Sequence, residues 1–137
     1  MRTIVLSLLF TFGVLAAEKT PFASLAKIAT ALSASDSDGA LDFFDSKMKS
    51  YPEIEQKIVA LTEQADISCA IDVVNDTETD GVHKLDLDWF MELKAQADNG
   101  QLERRRERVQ VEMRLVKGEW KITSLFPISI FDPLHVK

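Results

Sequence analysis

The chain has 137 residues, room for one domain with a real core and no second one. Its 22 acidic residues outnumber 16 basic ones and leave a net charge of −6, which argues against nucleic acid or an anionic membrane surface as partner, because either polyanion is repelled on average. A single cysteine rules out an internal disulfide, so the core alone must hold the fold.

Met1-Arg2 supplies one positive charge, Thr3 to Ala17 is uncharged and mostly apolar, and Val14-Leu15-Ala16-Ala17 offers small residues ahead of Glu18. This pattern predicts a secretory signal peptide over residues 1–17, followed by a single domain over 18–137. The apolar run falls short of the roughly 20 residues a membrane span needs, and Ser7, Thr11 and Gly13 interrupt it. The expected location is therefore periplasmic or secreted, in a bacterium, with no membrane attachment after cleavage.

Thr20-Pro21 supplies an N-cap with proline at the first helical position, and Phe22, Leu25, Ile28 and Leu32 recur at helical spacing, which predicts a first helix ending near Ser33. Ser35 to Gly39 is turn and cap material. Leu41, Phe43, Phe44 and Met48 predict a short second helix. Ser50-Tyr51-Pro52-Glu53 matches a capping box, and Ile54, Ile58 and Leu61 carry a third helix to about Gln64.

From Asp66 the period becomes two. Ile67, Cys69, Ile71 and Val73 share one face of a first strand, and His83, Leu85, Leu87, Trp89, Met91 and Leu93 that of a second. Val109, Val111, Met113 and Leu115 continue the face in a third strand, and Trp120 and Ile122 in a fourth. The other parity carries Lys84, Asp86, Asp88, Glu92, Gln110, Glu112, Arg114, Lys121 and Thr123, so one face is dry and the other wet. A turn centred on Asp98 would set Lys84 opposite Glu112, Asp88 opposite Arg108 and Glu92 opposite Arg104. A two-residue Lys117-Gly118 loop would set Leu115 opposite Trp120 and Met113 opposite Ile122. The tail from Pro127, interrupted again at Pro133, yields no assignment.

Three helices, a four-strand meander and the closing run Val109-x-Val111-x-Met113-x-Leu115-x-Lys117-Gly118-x-Trp120-Lys121-Ile122 resemble the nuclear transport factor 2-like superfamily, of cystatin-like fold, and within it the SnoaL-like and related small exported bacterial proteins. The resemblance spans Phe22 to Leu125. It implies an α+β fold, with the helices packed in a strongly curved antiparallel sheet shaped as a cone whose open end admits a small molecule. Members of the superfamily include isomerases, cyclases, dehydratases and non-enzymatic binding or assembly modules, so fold membership spreads the functional prior.

A steroid-isomerase-like site needs a carboxylate base and a tyrosine beside a protonated acid. Here Tyr51, the only tyrosine, starts the third helix, and Asp72, Asp86 and Asp88 lie on the wet parity. A dehydratase-like site needs a paired His and Asp, and the dry parity holds only His83. No catalytic residue is assigned, although a one-residue bulge would turn an outward aspartate inward. Asp76 to Gly81 imitates the opening of a calcium loop but has Leu87 where the twelfth-position glutamate belongs, so it is read as an acidic turn with no metal. Arg104, Arg105, Arg106 and Arg108, interleaved with Glu103 and Glu107, read as a charge-paired sheet face.

The sequence therefore predicts an exported, non-catalytic module that binds a small, largely apolar molecule or a protein partner, without cofactor. The candidate ligand contacts are His83, Trp89, Met91, Arg105, Glu107, Met113 and Trp120. Arg105 and Glu107 stand out because they occupy the dry parity beside Met91 and Trp89 at the rim of the expected cavity. The alternatives are an isomerase-, dehydratase- or cyclase-type enzyme, and an assembly module forming a homodimer through the wet face.

Overall fold

A computed structural model describes residues 20–97 and 100–135; the expected signal peptide lies outside the described residues. Helix α1 spans Pro21–Ser33, α2 Ser37–Leu41 and α3 Tyr51–Gln64. Strands β1 (Ala65–Thr79), β2 (Val82–Ala95), β3 (Leu102–Val116) and β4 (Glu119–Phe126) form one antiparallel sheet in sequential order, and a 3-10 helix covers Ile128–Phe131.

Thr20 caps α1 as expected: its hydroxyl oxygen accepts the Ala23 N–H at 3.1 Å, and Leu25, Ile28 and Leu32 face the core. The second helix lies earlier than expected, over Ser37–Leu41, so that it covers residues read as turn and cap and reaches only the first of the apolar residues expected to carry it. Asp36 caps it from Ser37, accepting the Gly39 N–H at 2.9 Å, and it ends at Leu41. Phe44 then forms a parallel bridge to Ile122 of β4, where the Ile122 N–H donates to the Phe43 carbonyl and the Asp45 N–H to the Ile122 carbonyl, both at 2.8 Å. The open edge of β4 thus takes backbone that a longer helix would have kept to itself. The capping box of α3 does not form either. Ser50 has φ −89° and ψ 6°, far from the extended conformation that aims a capping side chain at the first turn, and its hydroxyl makes no cap bond.

The sheet registers match the expected pairs, and an unanticipated bulge at Thr123, opposite the Glu112–Met113 step, brings Leu125 onto the dry face. Lys84, Asp88 and Glu92 lie opposite Glu112, Arg108 and Arg104, and Leu115 and Met113 opposite Trp120 and Ile122. Two hairpins turn on consecutive positive-φ residues, Asp80-Gly81 (53° and 79°) and Lys117-Gly118 (53° and 84°), whose twist suits a two-residue connection. The dry face buries Leu85, Leu87, Trp89, Met91, Leu93, Val109, Val111, Met113 and Ile122 against the helices. At the sheet margins this fails: Val73 and Leu115, expected on the dry face, are 38% and 56% exposed because the strands outrun the helices that would cover them. Cys69 is half-buried.

The tail, unassigned from sequence, completes the core. After the cis Phe126-Pro127 bond the 3-10 helix folds back beneath the sheet and buries Ile130 and Phe131 completely. The Phe131 ring stands edge-on to Trp89, at 5.4 Å and 86°, and to Phe44, at 6.3 Å and 73°.

Candidate functional site

The sequence-predicted contacts divide into two groups at different places on the inner face. Trp89, Met91 and Arg105 lie together under the tail, since β2 and β3 pair Met91 with Arg105 and Trp89 with Glu107. Trp89, Met91 and Met113 are fully buried, and none of them lines the groove described below. The interior of the cone is occupied here by Phe131.

Arg105 and Glu107, expected as a pair, do not meet. Glu107 is exposed. Arg105 is only 9% exposed, and its donors go elsewhere: Nε to Glu103 Oε2 at 2.8 Å, Nη1 to the Ile130 carbonyl at 2.8 Å, and Nη2 to the Pro133 carbonyl at 2.9 Å. Glu103 also accepts the His135 N–H at 2.9 Å. Burial raises the Glu103 pKa, but the hydrogen bonds from His135 and Arg105 and their charges outweigh it and hold the carboxyl below the usual range. Lys57 to Asp132 at 2.7 Å and the Leu134 N–H to Gln64 at 3.1 Å tie the same segment to α3.

The Trp89 indole N–H, fully buried, has no hydrogen-bond acceptor among the described residues. Burial pushes the Cys69 thiol up to about 12. Cys69 therefore stays protonated and a poor nucleophile.

His83 and Trp120 form the second group, together with a residue the sequence reading placed in a turn. Asp76 lies within β1, and its carboxylate oxygens are 2.9 and 3.1 Å from His83 Nδ1. A bulge at Val74 brings it there. Val73 pairs with Leu87, but Asn75 pairs with Asp86, so the parity flips and Asp76 joins the dry face opposite Leu85. The Trp120 ring packs edge-on against His83 at 4.9 Å and 87°. The apolar doublet Val73-Val74, which breaks the alternation, was the available signal. With Nδ1 on a carboxylate, Nε2 is left for another partner, the arrangement of an oriented base. Among the described residues no three His, Cys, Asp or Glu side chains converge as metal ligands would.

The wet face carries the more open features. A groove of about 400 Å³ crosses it between Asn75, Lys84, Asp86, Gln110, Glu112 and Phe126, the last 71% exposed. Arg104 pairs with Glu92 at 2.8 Å. Asp88, directly opposite Arg108, is instead held by Arg106, from Nη2 at 3.0 Å and Nε at 3.2 Å. Those hydrogen bonds lower the Asp88 pKa, reinforced by the charges of Arg106 and Arg108. Arg108, and the facing pair Lys84 and Glu112, form no ion pair among the described residues.

No family model and no curated protein matches the sequence. Solved structures match its shape. A nuclear transport factor 2-like superfamily protein from Salmonella enterica is 10% identical with a TM-score of 0.61, over 74% of this chain and 82% of that one. Aln2 from a Streptomyces species is 15% identical with a TM-score of 0.61, over 74% and 82%. A conserved protein from Planctomyces limnophilus is 9% identical with a TM-score of 0.64, over 74% and 87%. Such identities establish the fold alone, and the fold is nuclear transport factor 2-like: three helices against a curved four-stranded antiparallel sheet.

Proposed function

We propose that this chain is an exported, non-catalytic binding module that engages a protein through the wet face of its sheet, and that a second copy of the chain is the partner this face fits. The distribution of charge on that face carries the reading. Its β1–β2 half presents Asp66, Asp72, Asp86, Asp88 and Glu92 against Lys84 and Lys94, and its β3–β4 half presents Arg104, Arg106, Arg108, Arg114 and Lys121 against Glu112 and Glu119. A two-fold axis running along the strands between β2 and β3 lays the acidic half of one copy on the basic half of the other. The occupied cone supports the same reading, because it leaves the small apolar molecule no open space beside Trp89 and Met91. A stable interface of this kind buries about 1,200–2,000 Å².

Sedimentation velocity tests it. The expected result is a dimer at low salt that dissociates as salt rises. Asp86→Arg and Arg108→Glu, neither of which breaks an internal ion pair, should each remain monomeric, and their mixture should form heterodimers. A monomer at every salt concentration overturns the reading.

The His83–Asp76 pair favours a second reading, an enzyme of isomerase or dehydratase type with His83 as base. Its test is hydrogen–deuterium exchange at the α-carbon of small enolisable ketones in heavy water, followed by NMR. No acceleration by the wild type over His83→Gln sinks it.

A further inference from the structure

We propose that the segment Ile128–Pro133 occupies a binding site for an arylalkanoic acid, and that release of this segment opens the site. Arg105 points to the ligand class. With Nε fixed on Glu103, its Nη1 and Nη2 present two adjacent donors to the inner face, and the tail meets them with the carbonyl oxygens of Ile130 and Pro133 at 2.8 and 2.9 Å. A planar fork of this kind matches the two oxygens of one carboxylate, and an ionised acceptor adds to the guanidinium bonds a charge–charge attraction that the neutral carbonyls lack. The two carbonyls therefore stand where carboxylate oxygens would bind better.

The neighbouring space selects the rest of the ligand. The Phe131 ring fills a slot between Trp89 and Phe44, edge-on to both. A ring in that slot and a carboxylate on Arg105, joined by a short chain, reproduce what Phe131 and the adjoining backbone already present. The tail is in effect a tethered copy of such a ligand.

The polar attachment of the segment is slight beside the burial of Ile130 and Phe131. It joins no strand ladder among the described residues. Apart from Arg105, its polar ties are Lys57–Asp132, with side chains 22% and 34% exposed, and the contacts of Gln64 with Leu134 and of Glu103 with His135, whose side chain is 72% exposed. Ties in contact with water contribute little each, so the segment is held mainly by the buried Ile130 and Phe131 side chains, and a ring entering the slot replaces the Phe131 burial that opening gives up. The affinity of the ligand is then its intrinsic affinity reduced by the fraction of molecules in which the segment is open.

The experiment titrates 3-phenylpropionate into the full chain, with calorimetry for affinity and hydrogen exchange for the segment. Binding should saturate, exchange over 128–135 should accelerate about tenfold, and β2 and β3 should stay protected. Phe131→Ala, which weakens the tethered occupant, should bind about tenfold more tightly. Arg105→Lys, which keeps the charge and loses the fork, should bind about tenfold more weakly. Ethylbenzene, the same ring without the carboxylate, should bind at least about tenfold more weakly to both the wild type and Phe131→Ala. This last comparison still decides the matter should Arg105→Lys fail to fold by circular dichroism. Equal binding of ethylbenzene marks a generic cavity and overturns the proposal. So does the absence of 3-phenylpropionate binding to either protein, or binding that leaves exchange of the segment unchanged.

Discussion

The two oxygens of Glu103 take three contacts: Arg105 Nε and His135 Nδ1 on Oε2, at 2.8 and 2.9 Å, and the His135 backbone N–H on Oε1 at 2.9 Å. Its side chain is 12% exposed, so the carboxylate has exchanged most of its water for these donors. Burial raises its pKa, yet the hydrogen bonds and the neighbouring positive charge prevail and lower it. An acid whose folded pKa is depressed adds stability that is fully present above its unfolded value, about 4.3 for glutamate, and is lost as pH falls through the lower folded value. Glu103→Gln should therefore cost about 1.5–3 kcal/mol at pH 7. The difference should vanish in acid, where the wild-type carboxyl is protonated. Urea unfolding at neutral pH and near pH 2 checks this, and a gap that persists undiminished in acid would show that Glu103 acts by shape alone.

At the level of elements, the β3–β4 hairpin depends on two residues held at positive φ, and they differ in how well they suit it. Gly118, at φ 84°, would meet nothing within 4 Å of an added Cβ, so its requirement is purely conformational. Lys117, at φ 53°, sits where asparagine is preferred. Gly118→Ala should destabilise by about 1 kcal/mol, and Lys117→Asn should stabilise by about 0.5 kcal/mol. Thermal unfolding of both variants tests the pair, and a neutral Gly118→Ala would mean that the turn relaxes to another type. This hairpin was legible because alternation and turn chemistry are local signals that agree. The same logic failed where a long-range partner decided the outcome. Phe43 and Phe44 left the expected helix for the edge of β4. The parity count carried past Val74 left Asp76 away from His83 until the bulge restored it. The tail residues Ile130 and Phe131 carry no periodicity, and only the hollow formed by distant strands explains their burial.

For the molecule as a whole, two electrostatic effects oppose one another in self-association. The net charge of −6 repels a second copy at neutral pH, whereas the split face attracts it at short range. Acidification separates them. As pH falls toward the pI of about 4.9, the net repulsion disappears. Asp88, whose pKa is lowered by its hydrogen bonds to Arg106 and by the charges of Arg106 and Arg108, keeps its charge over that interval. Dimerisation should therefore tighten between about pH 7.5 and 5 and weaken only below the carboxylate range, near pH 4. Salt should also act more steeply at pH 5, where it screens attraction alone, than at pH 7.5, where it screens attraction and repulsion together. Sedimentation equilibrium across this grid supplies the measurement, with Arg108→Glu alone as the control for indiscriminate association near the pI. If that variant tightens as much as the wild type, the gain comes from lost net charge, and the wet face of the sheet has no part in it.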